Sequence, residues 1–240
     1  IALKPDYAEA HSNLGITLQE LGRLDKAEAS YMQAIAVKPD YADAHNNLGN
    51  TLQELGRLEE AKVSYNQALA IKPEYAGILY NLGNVLQKLG MLEDAETNYK
   101  KVIAIKPDLA IAHNNLGVTQ YELGKLNDAE QCYIQALIIN PEYADAYYNF
   151  GVTLQELGRL EEAEINYRKA ISITPEHAIA HNNLGTILQE LGNLKEAEAS
   201  YRKAIAIKPQ YAEVHSNLGN ALKELARLEE AEVSYMKAIA

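Results

Sequence analysis

The chain is 240 residues long, carries 22 Lys and Arg against 33 Asp and Glu for a net charge of −11, and holds one cysteine, no tryptophan, one phenylalanine and sixteen tyrosines. An acidic surface repels phosphate, which argues against a nucleic-acid partner, and no apolar run approaches the roughly 20 residues of a membrane span, which argues against a membrane role. Cys132 stands alone, so no internal disulfide and no cysteine-based metal site can form, in keeping with a reducing, cytoplasmic compartment.

Read from the N-terminus, Ile1–Lys4 is the tail of a helix stopped by Pro5. Proline then returns at Pro39, Pro73, Pro107, Pro141, Pro175 and Pro209, always 34 residues on. Gly15, Gly49, Gly83, Gly117, Gly151, Gly185 and Gly219 keep the same interval, as do Tyr31, Tyr65, Tyr99, Tyr133, Tyr167, Tyr201 and Tyr235. A period of about 20–50 residues held across a chain marks a solenoid. After a lead-in over residues 1–7, six full repeats run from Ala8 to Tyr211, and a partial seventh covers 212–240. No linker interrupts them, so one repeat domain over 1–240 is expected, as a piece of something longer.

The second repeat, Ala42–Tyr75, shows the pattern. Ala44, Leu48, Leu52 and Leu55 recur at three- and four-residue steps, the signature of one helical face. Gly56 supplies a left-handed turn. Leu58, Ala61, Tyr65, Ala68, Leu69 and Ile71 form the stripe of a second helix, which Pro73 stops. The short connection makes the two helices antiparallel neighbours. Small residues at Gly49, Ala61 and Ala68 admit close approach, and the pair needs the next pair to bury its apolar face. The third repeat departs from this wording with Leu79 and Tyr80. The fourth has Gln120-Tyr121 where its sisters have Leu-Gln, and Cys132 where they have Ser or Asn. The fifth brings Tyr147 and Tyr148. The sixth pairs His177 with His181, and the seventh has Ala226 in place of the turn glycine, which predicts a looser or differently shaped turn.

Six histidines raise the question of a metal. Five share one register, about one helix pair apart, and helix axes lie roughly 8–10 Å from one another, far beyond the reach of common zinc ligands at about 2 Å. Packed histidines are expected. Carboxylates such as Glu59-Glu60 and Glu161-Glu162 recur beside Lys and Arg as a solvated face. Without a glycine-rich phosphate loop, a nucleophile elbow or a Cys/His dyad, the sequence predicts no catalytic residue, no cofactor and no metal.

The informative row is Asn13, Asn47, Asn81, Asn115, Asn149, Asn183 and Asn217, each in the middle of a first helix just before Leu-Gly or Phe-Gly. Asparagine costs a helix roughly half a kcal/mol against alanine, so seven of them need a reason. The residues around them have drifted, through Ser12, Asn46, Tyr80, Asn114, Tyr148, Asn182 and Ser216 just before, and Ile16, Asn50, Asn84, Val118, Val152, Thr186 and Asn220 three after. Two readings stand. The amides bridge neighbouring helices, or, offering a donor and an acceptor each, they hold the backbone of an extended peptide. Tyr80, Tyr121 and Tyr148 join them as candidate peptide-binding residues, since tyrosine combines area with a polar tip, against the alternative of surface drift. The face is neutral to acidic, so a neutral or basic guest fits it by charge.

The Leu-Gly, Ala, Tyr, Ala and Pro at these offsets, in the second repeat Leu48, Gly49, Ala61, Tyr65, Ala68 and Pro73, resemble the 34-residue tetratricopeptide (TPR) pattern. The resemblance covers the whole chain. Its wording, Pro-Asp-Tyr-Ala followed by His-Asn-Asn-Leu-Gly, is similar to the TPR arm of O-linked N-acetylglucosamine transferases and to bacterial proteins of that type, with His, Tyr or Leu replacing the pattern's Trp. The resemblance implies an all-α solenoid, a right-handed superhelix of antiparallel helix pairs, whose first helices line a concave surface carrying an asparagine ladder. It implies a scaffold for protein partners. Two alternatives accompany that reading: a non-catalytic recognition arm of a larger glycosyltransferase, and a structural solenoid that associates end to end through apolar faces at the two ends. Carboxylate-clamp binding is not expected, because no Lys precedes the Asn in any repeat.

Overall fold

The computed structural model describes residues 7–239, so the helix tail read at Ile1–Lys4, with Pro5, lies outside the described residues. Among those residues the chain is fourteen α-helices without a strand. In the first 123 residues they are α1 (Ala8–Glu20), α2 (Leu24–Val37), α3 (Ala42–Glu54), α4 (Leu58–Ile71), α5 (Ala76–Lys88), α6 (Leu92–Ile105) and α7 (Ala110–Glu122). Then follow α8 (Leu126–Ile139), α9 (Ala144–Glu156), α10 (Leu160–Ile173), α11 (Ala178–Glu190), α12 (Leu194–Ile207), α13 (Ala212–Glu224) and α14 (Leu228–Ile239). Odd-numbered helices are the first, or A, helices of the repeats, and even-numbered ones the B helices. The chain forms two compact units, residues 1–123 with α1–α7 and residues 124–240 with α8–α14.

Within each unit one packing rule repeats. An A helix packs on the B helix of its own repeat, as α3 on α4 and α11 on α12, and each B helix packs on the next A helix, as α4 on α5 and α12 on α13. Successive A helices also touch, α1 with α3, α3 with α5, and α11 with α13. The buried residues explain the rule. The B helices contribute two registers of small residues with no exposure, Ala27, Ala61, Ala95, Ala163 and Ala197, and Ala34, Ala68, Ala170 and Ala204. Between them sits the repeat tyrosine, fully buried at Tyr31, Tyr65, Tyr99 and Tyr167. A ring of this size removes about 150–250 Å² from water, roughly 4–6 kcal/mol of gross stabilisation, which makes it the main core residue of a repeat otherwise built of alanine.

The mid-helix glycine exists for that ring. A Cβ on Gly49 would stand 2.6 Å from Cε1 of Tyr65, and one on Gly185 equally 2.6 Å from Cε1 of Tyr201. The second glycine has a different cause. Gly56 and Gly192 have φ of +77° and +80°, and the chain there closes as a Schellman turn: Gly56 N–H donates to the Gln53 carbonyl at 3.0 Å and Arg57 N–H to the Leu52 carbonyl at 2.9 Å. At Ala226 the expected change of shape does not occur. Its φ is +59°, and the same two bonds form, Ala226 to Lys223 at 3.0 Å and Arg227 to Leu222 at 2.9 Å. The hydrogen bonds hold the turn, and the alanine bears a left-handed strain of about 1–2 kcal/mol.

Histidines fasten the A helices to the preceding turn. Nε2 of His45, His113 and His215 lies 2.9 Å from the carbonyl oxygen of Pro39, Pro107 and Pro209, and that of His181 lies 3.0 Å from Pro175. His177 stands outside α11 as its N-cap, its Nδ1 accepting from Ala180 N–H at 3.1 Å. Burial lowers the His181 pKa, opposed by its bond to Pro175 and assisted by the charges of Lys203 and His177. No three His, Cys, Asp or Glu among the described residues are grouped to hold a metal.

On the B-helix side an arginine before the helix joins two repeats. Arg57 places Nη1 on both carboxylate oxygens of Glu28 in the preceding repeat, at 2.9 and 2.8 Å, and reaches Glu60 with Nε and Nη2. Arg159 does the same with Glu130 and Glu162, and Arg227 with Glu198 and Glu230. These bonds raise the arginine pKa values and lower those of Glu60, Glu162 and Glu230. The carboxylate face expected to be merely solvated is therefore partly a set of clamps.

Candidate functional site

Each asparagine lies on an A helix one residue before a Leu or Phe; on α3, Leu52 is buried at 3% exposure while Asn47 and Leu48 are half-buried. In the first unit Asn47, Asn81 and Asn115 are half-buried and Asn13 is exposed; in the second Asn149, Asn183 and Asn217 are half-buried. Several backbone carbonyls of the row are already taken. Thr51 Oγ1 donates to the Asn47 carbonyl at 3.0 Å, Thr119 to Asn115 at 2.8 Å and Thr153 to Asn149 at 3.0 Å.

The side-chain amides meet the neighbouring repeat. Asn81 Nδ2 donates to Asn46 Oδ1 at 3.3 Å and Asn50 Oδ1 at 3.0 Å. Asn115 Nδ2 donates to Tyr80 Oη at 3.1 Å and Asn84 Oδ1 at 3.1 Å. Asn183 Nδ2 has one acceptor, Tyr148 Oη at 3.4 Å, and Asn217 Nδ2 has one, Asn182 Oδ1 at 3.0 Å. Asn47 accepts from Asn46 Nδ2 at 3.2 Å and lines a cleft of about 450 Å³ with Ile16, Gln19, Glu20, Tyr31 and Glu54. The acceptors are anchored from behind by the core. Tyr65 Oη donates to Asn50 Oδ1 and Tyr99 Oη to Asn84 Oδ1, each at 2.7 Å. Burial first, and nearby carboxylates second, push the Tyr31 hydroxyl up to about 12; burial likewise leads the upward shift of Tyr65 and Tyr99.

Tyr80 and Tyr148 belong to the same network. Their rings lie 6.1 Å from Tyr99 and 6.0 Å from Tyr167, and Tyr148 also packs on His177 at 4.9 Å. Their hydroxyls accept from Asn115 and Asn183, and both residues are half-buried. Tyr121 is half-buried at the end of α7. Beside it Gln120 is 4% exposed and donates through Nε2 to Glu96 Oε1 at 3.3 Å; it is a core residue, and a buried carboxylate on α6 compensates for the lost leucine.

A second row closes the A helices. Their last residues are Glu20, Glu54, Lys88, Glu122, Glu156, Glu190 and Glu224, and a glutamine of the preceding repeat orients three of them: Gln19 Nε2 bonds Glu54 at 2.5 Å, Gln87 bonds Glu122 at 3.4 Å and Gln189 bonds Glu224 at 2.5 Å. The face is thus a row of amides edged by carboxylates. The partner registers three after the Asn, and the arginine clamps, were missed as functional pairs in the sequence. Their signal was present, since Asn50 and Asn84 stand 31 residues before Asn81 and Asn115, but only the stacking shows that these registers meet.

Stacked helix pairs of this size, with small residues at the helix crossings and a polar A-helix face, define a helical-repeat interaction scaffold. The chain belongs to the tetratricopeptide-repeat family: the family model described as the TPR-containing C-terminal domain of cilia and flagella-associated protein 70 matches residues 8–240. Comparison with curated protein sequences gives no match. Among solved structures it is similar to YrrB, described as a TPR protein with an unusual peptide-binding site, at 26% identity and a TM-score of 0.63 over 77% of this chain and 95% of that one. It is also similar to MamA, at 26% identity and a TM-score of 0.63 over 66% and 92%. A TPR protein from Parabacteroides merdae shares the fold at 23% identity, with a TM-score of 0.77 over 96% and 91%. No helix among the described residues is long and apolar enough to cross a membrane.

Proposed function

We propose that this chain is a non-catalytic scaffold that holds extended, neutral-to-basic protein segments along the A-helix faces of its units. The observation that carries the reading is the row of half-buried Asn amides, edged by glutamates that Gln19, Gln87 and Gln189 hold in place. Amides match a peptide backbone, which offers one donor and one acceptor per residue. The carboxylates select against acidic guests and speed the approach of basic ones. The peptide-binding site named in the description of YrrB supports the same use of the fold here, and the single cysteine fits a reducing compartment. Selection from a displayed random-peptide library tests the proposal. It should return Lys- and Arg-rich sequences whose affinity falls as salt rises, and falls again in a Glu54→Gln/Glu190→Gln/Glu224→Gln variant. Binders that are acidic, or indifferent to these changes, would count against it.

A further inference from the structure

The seven asparagines look equivalent in sequence, yet their amides are engaged differently. Asn81 and Asn115 each have two acceptors, so both N–H groups are committed within the protein. Asn183 and Asn217 have one acceptor each among the described residues. Asn47 Nδ2 has none among them, and its amide lines an open cleft. The cause lies one repeat back, at the residue three after the preceding asparagine. Asn50 and Asn84 present a side-chain carbonyl there, fixed by Tyr65 and Tyr99. Ile16 and Val152 have no acceptor to present, and Thr186 makes no bond to Asn217.

We infer that the row is divided by function within each unit: in the first, Asn81 and Asn115 are struts that join repeats while Asn47 grips peptide backbone with both donor and acceptor; in the second, Asn183 and Asn217 grip it in the same way. The inference rests on the peptide-binding reading and specifies which residues perform it. A strut can still accept from a passing peptide N–H through Oδ1, but its donors cannot turn to a peptide carbonyl without breaking a bond to the neighbouring repeat. A gripping asparagine trades only water for the peptide carbonyl. The residue three after an asparagine therefore bears on the next one: Asn50 and Asn84 lock Asn81 and Asn115, whereas Ile16, Val152 and Thr186 supply no acceptor to Asn47, Asn183 and Asn217.

The test uses the full chain and the tightest peptide from the library selection. Asn183→Ala and Asn217→Ala should each weaken binding about three- to tenfold, the worth of a net hydrogen bond, with little change in Tm. Asn81→Ala and Asn115→Ala should instead lower Tm by about 2–4 °C and change affinity by about twofold or less. Val152→Asn supplies the missing acceptor, and should weaken binding about threefold while Tm holds or rises. Asn84→Val is the reverse change, releasing an Asn115 N–H, and should lower Tm while binding holds or tightens; it stands in for Val152→Asn should that variant not fold. Equal affinity losses across all four Asn→Ala variants, or no effect of either acceptor exchange on binding, would overturn the division while leaving a peptide face in place. Unchanged affinity in every Asn and Glu variant, or a selection without an enriched peptide, would overturn the peptide reading itself and the division with it.

Discussion

Asn81 and Asn183 occupy the same register, each followed by Leu-Gly and each facing an A helix of the preceding repeat. In the first unit Asn81 is held by two asparagine carbonyls, at 3.0 and 3.3 Å. In the second, Asn183 reaches a single tyrosine oxygen at 3.4 Å. Copying a residue from repeat to repeat does not copy its work. In a solenoid a side chain's environment belongs half to the neighbouring repeat, so drift there reassigns an unchanged residue.

Changes to the core test the baseline of this comparison, because core and turn are built alike in both units. Gly83→Ala and Gly185→Ala each force a Cβ to within 2.8 and 2.6 Å of a buried ring, and each should cost about 1–3 kcal/mol in chemical denaturation. Very unequal costs would mean that the units differ in packing rather than in the asparagine seam. Next in size comes the seam itself. Asn84→Ala removes the acceptor of both Tyr99 and Asn115 and should cost about 1–2 kcal/mol. Thr186→Ala loses a 3.4 Å contact with Tyr201 and a 3.2 Å bond to the Asn182 carbonyl of its own helix, joins no second repeat, and should cost less than about 0.5 kcal/mol. Comparable values from thermal unfolding would erase the contrast. Ala226→Gly relieves the left-handed strain and should raise stability by about 1 kcal/mol; a loss would show that the alanine methyl packs usefully.

The smallest effect belongs to the exposed arginine clamps. Arg57 and Glu60, Arg159 and Glu162, and Arg227 and Glu230 hold carboxylates whose pKa values lie below the ordinary 4.5. A depressed carboxylate contributes stability that is complete above its unfolded pKa and is lost as pH falls through the folded one. Hydrogen-exchange protection, taken relative to the intrinsic rate at each pH, should therefore fall below about pH 4.5 at the seams α2–α3, α8–α9 and α12–α13, more than at α4–α5, where Met91 replaces the arginine. A uniform acid response would show that the clamps contribute nothing.

Much of the fold was legible in the sequence because period, proline and glycine encode it locally. The second repeat was expected to hold a helix through Ala44–Leu55, a turn at Gly56 and a helix from Leu58 to Ile71, and α3 and α4 end within a residue or two of those marks. Capping residues would not have found the helix starts, which follow Tyr41, Arg57 or Met91 without a side-chain cap; the interval did. The shape of the Ala226 turn was misjudged because the energy of a closed Schellman pair outweighs one residue's backbone preference. The asparagine row was visible as a row, but its duties were not. Its partners lie 31 or 35 residues back in the sequence, and only stacking brings Asn50 or Tyr80 within reach. The bonds that Tyr80 and Tyr148 accept from Asn115 and Asn183 were hidden for the same reason.

Hydrogen exchange of the asparagine side-chain amides, followed by NMR on the free protein, tests the central claim most directly. The Nδ2 protons of Asn81 and Asn115 should exchange slowly, and those of Asn47, Asn183 and Asn217 should exchange faster, with Val152→Asn slowing Asn183 alone. Equal exchange at all five, or an Asn183 unaffected by Val152→Asn, would contradict it.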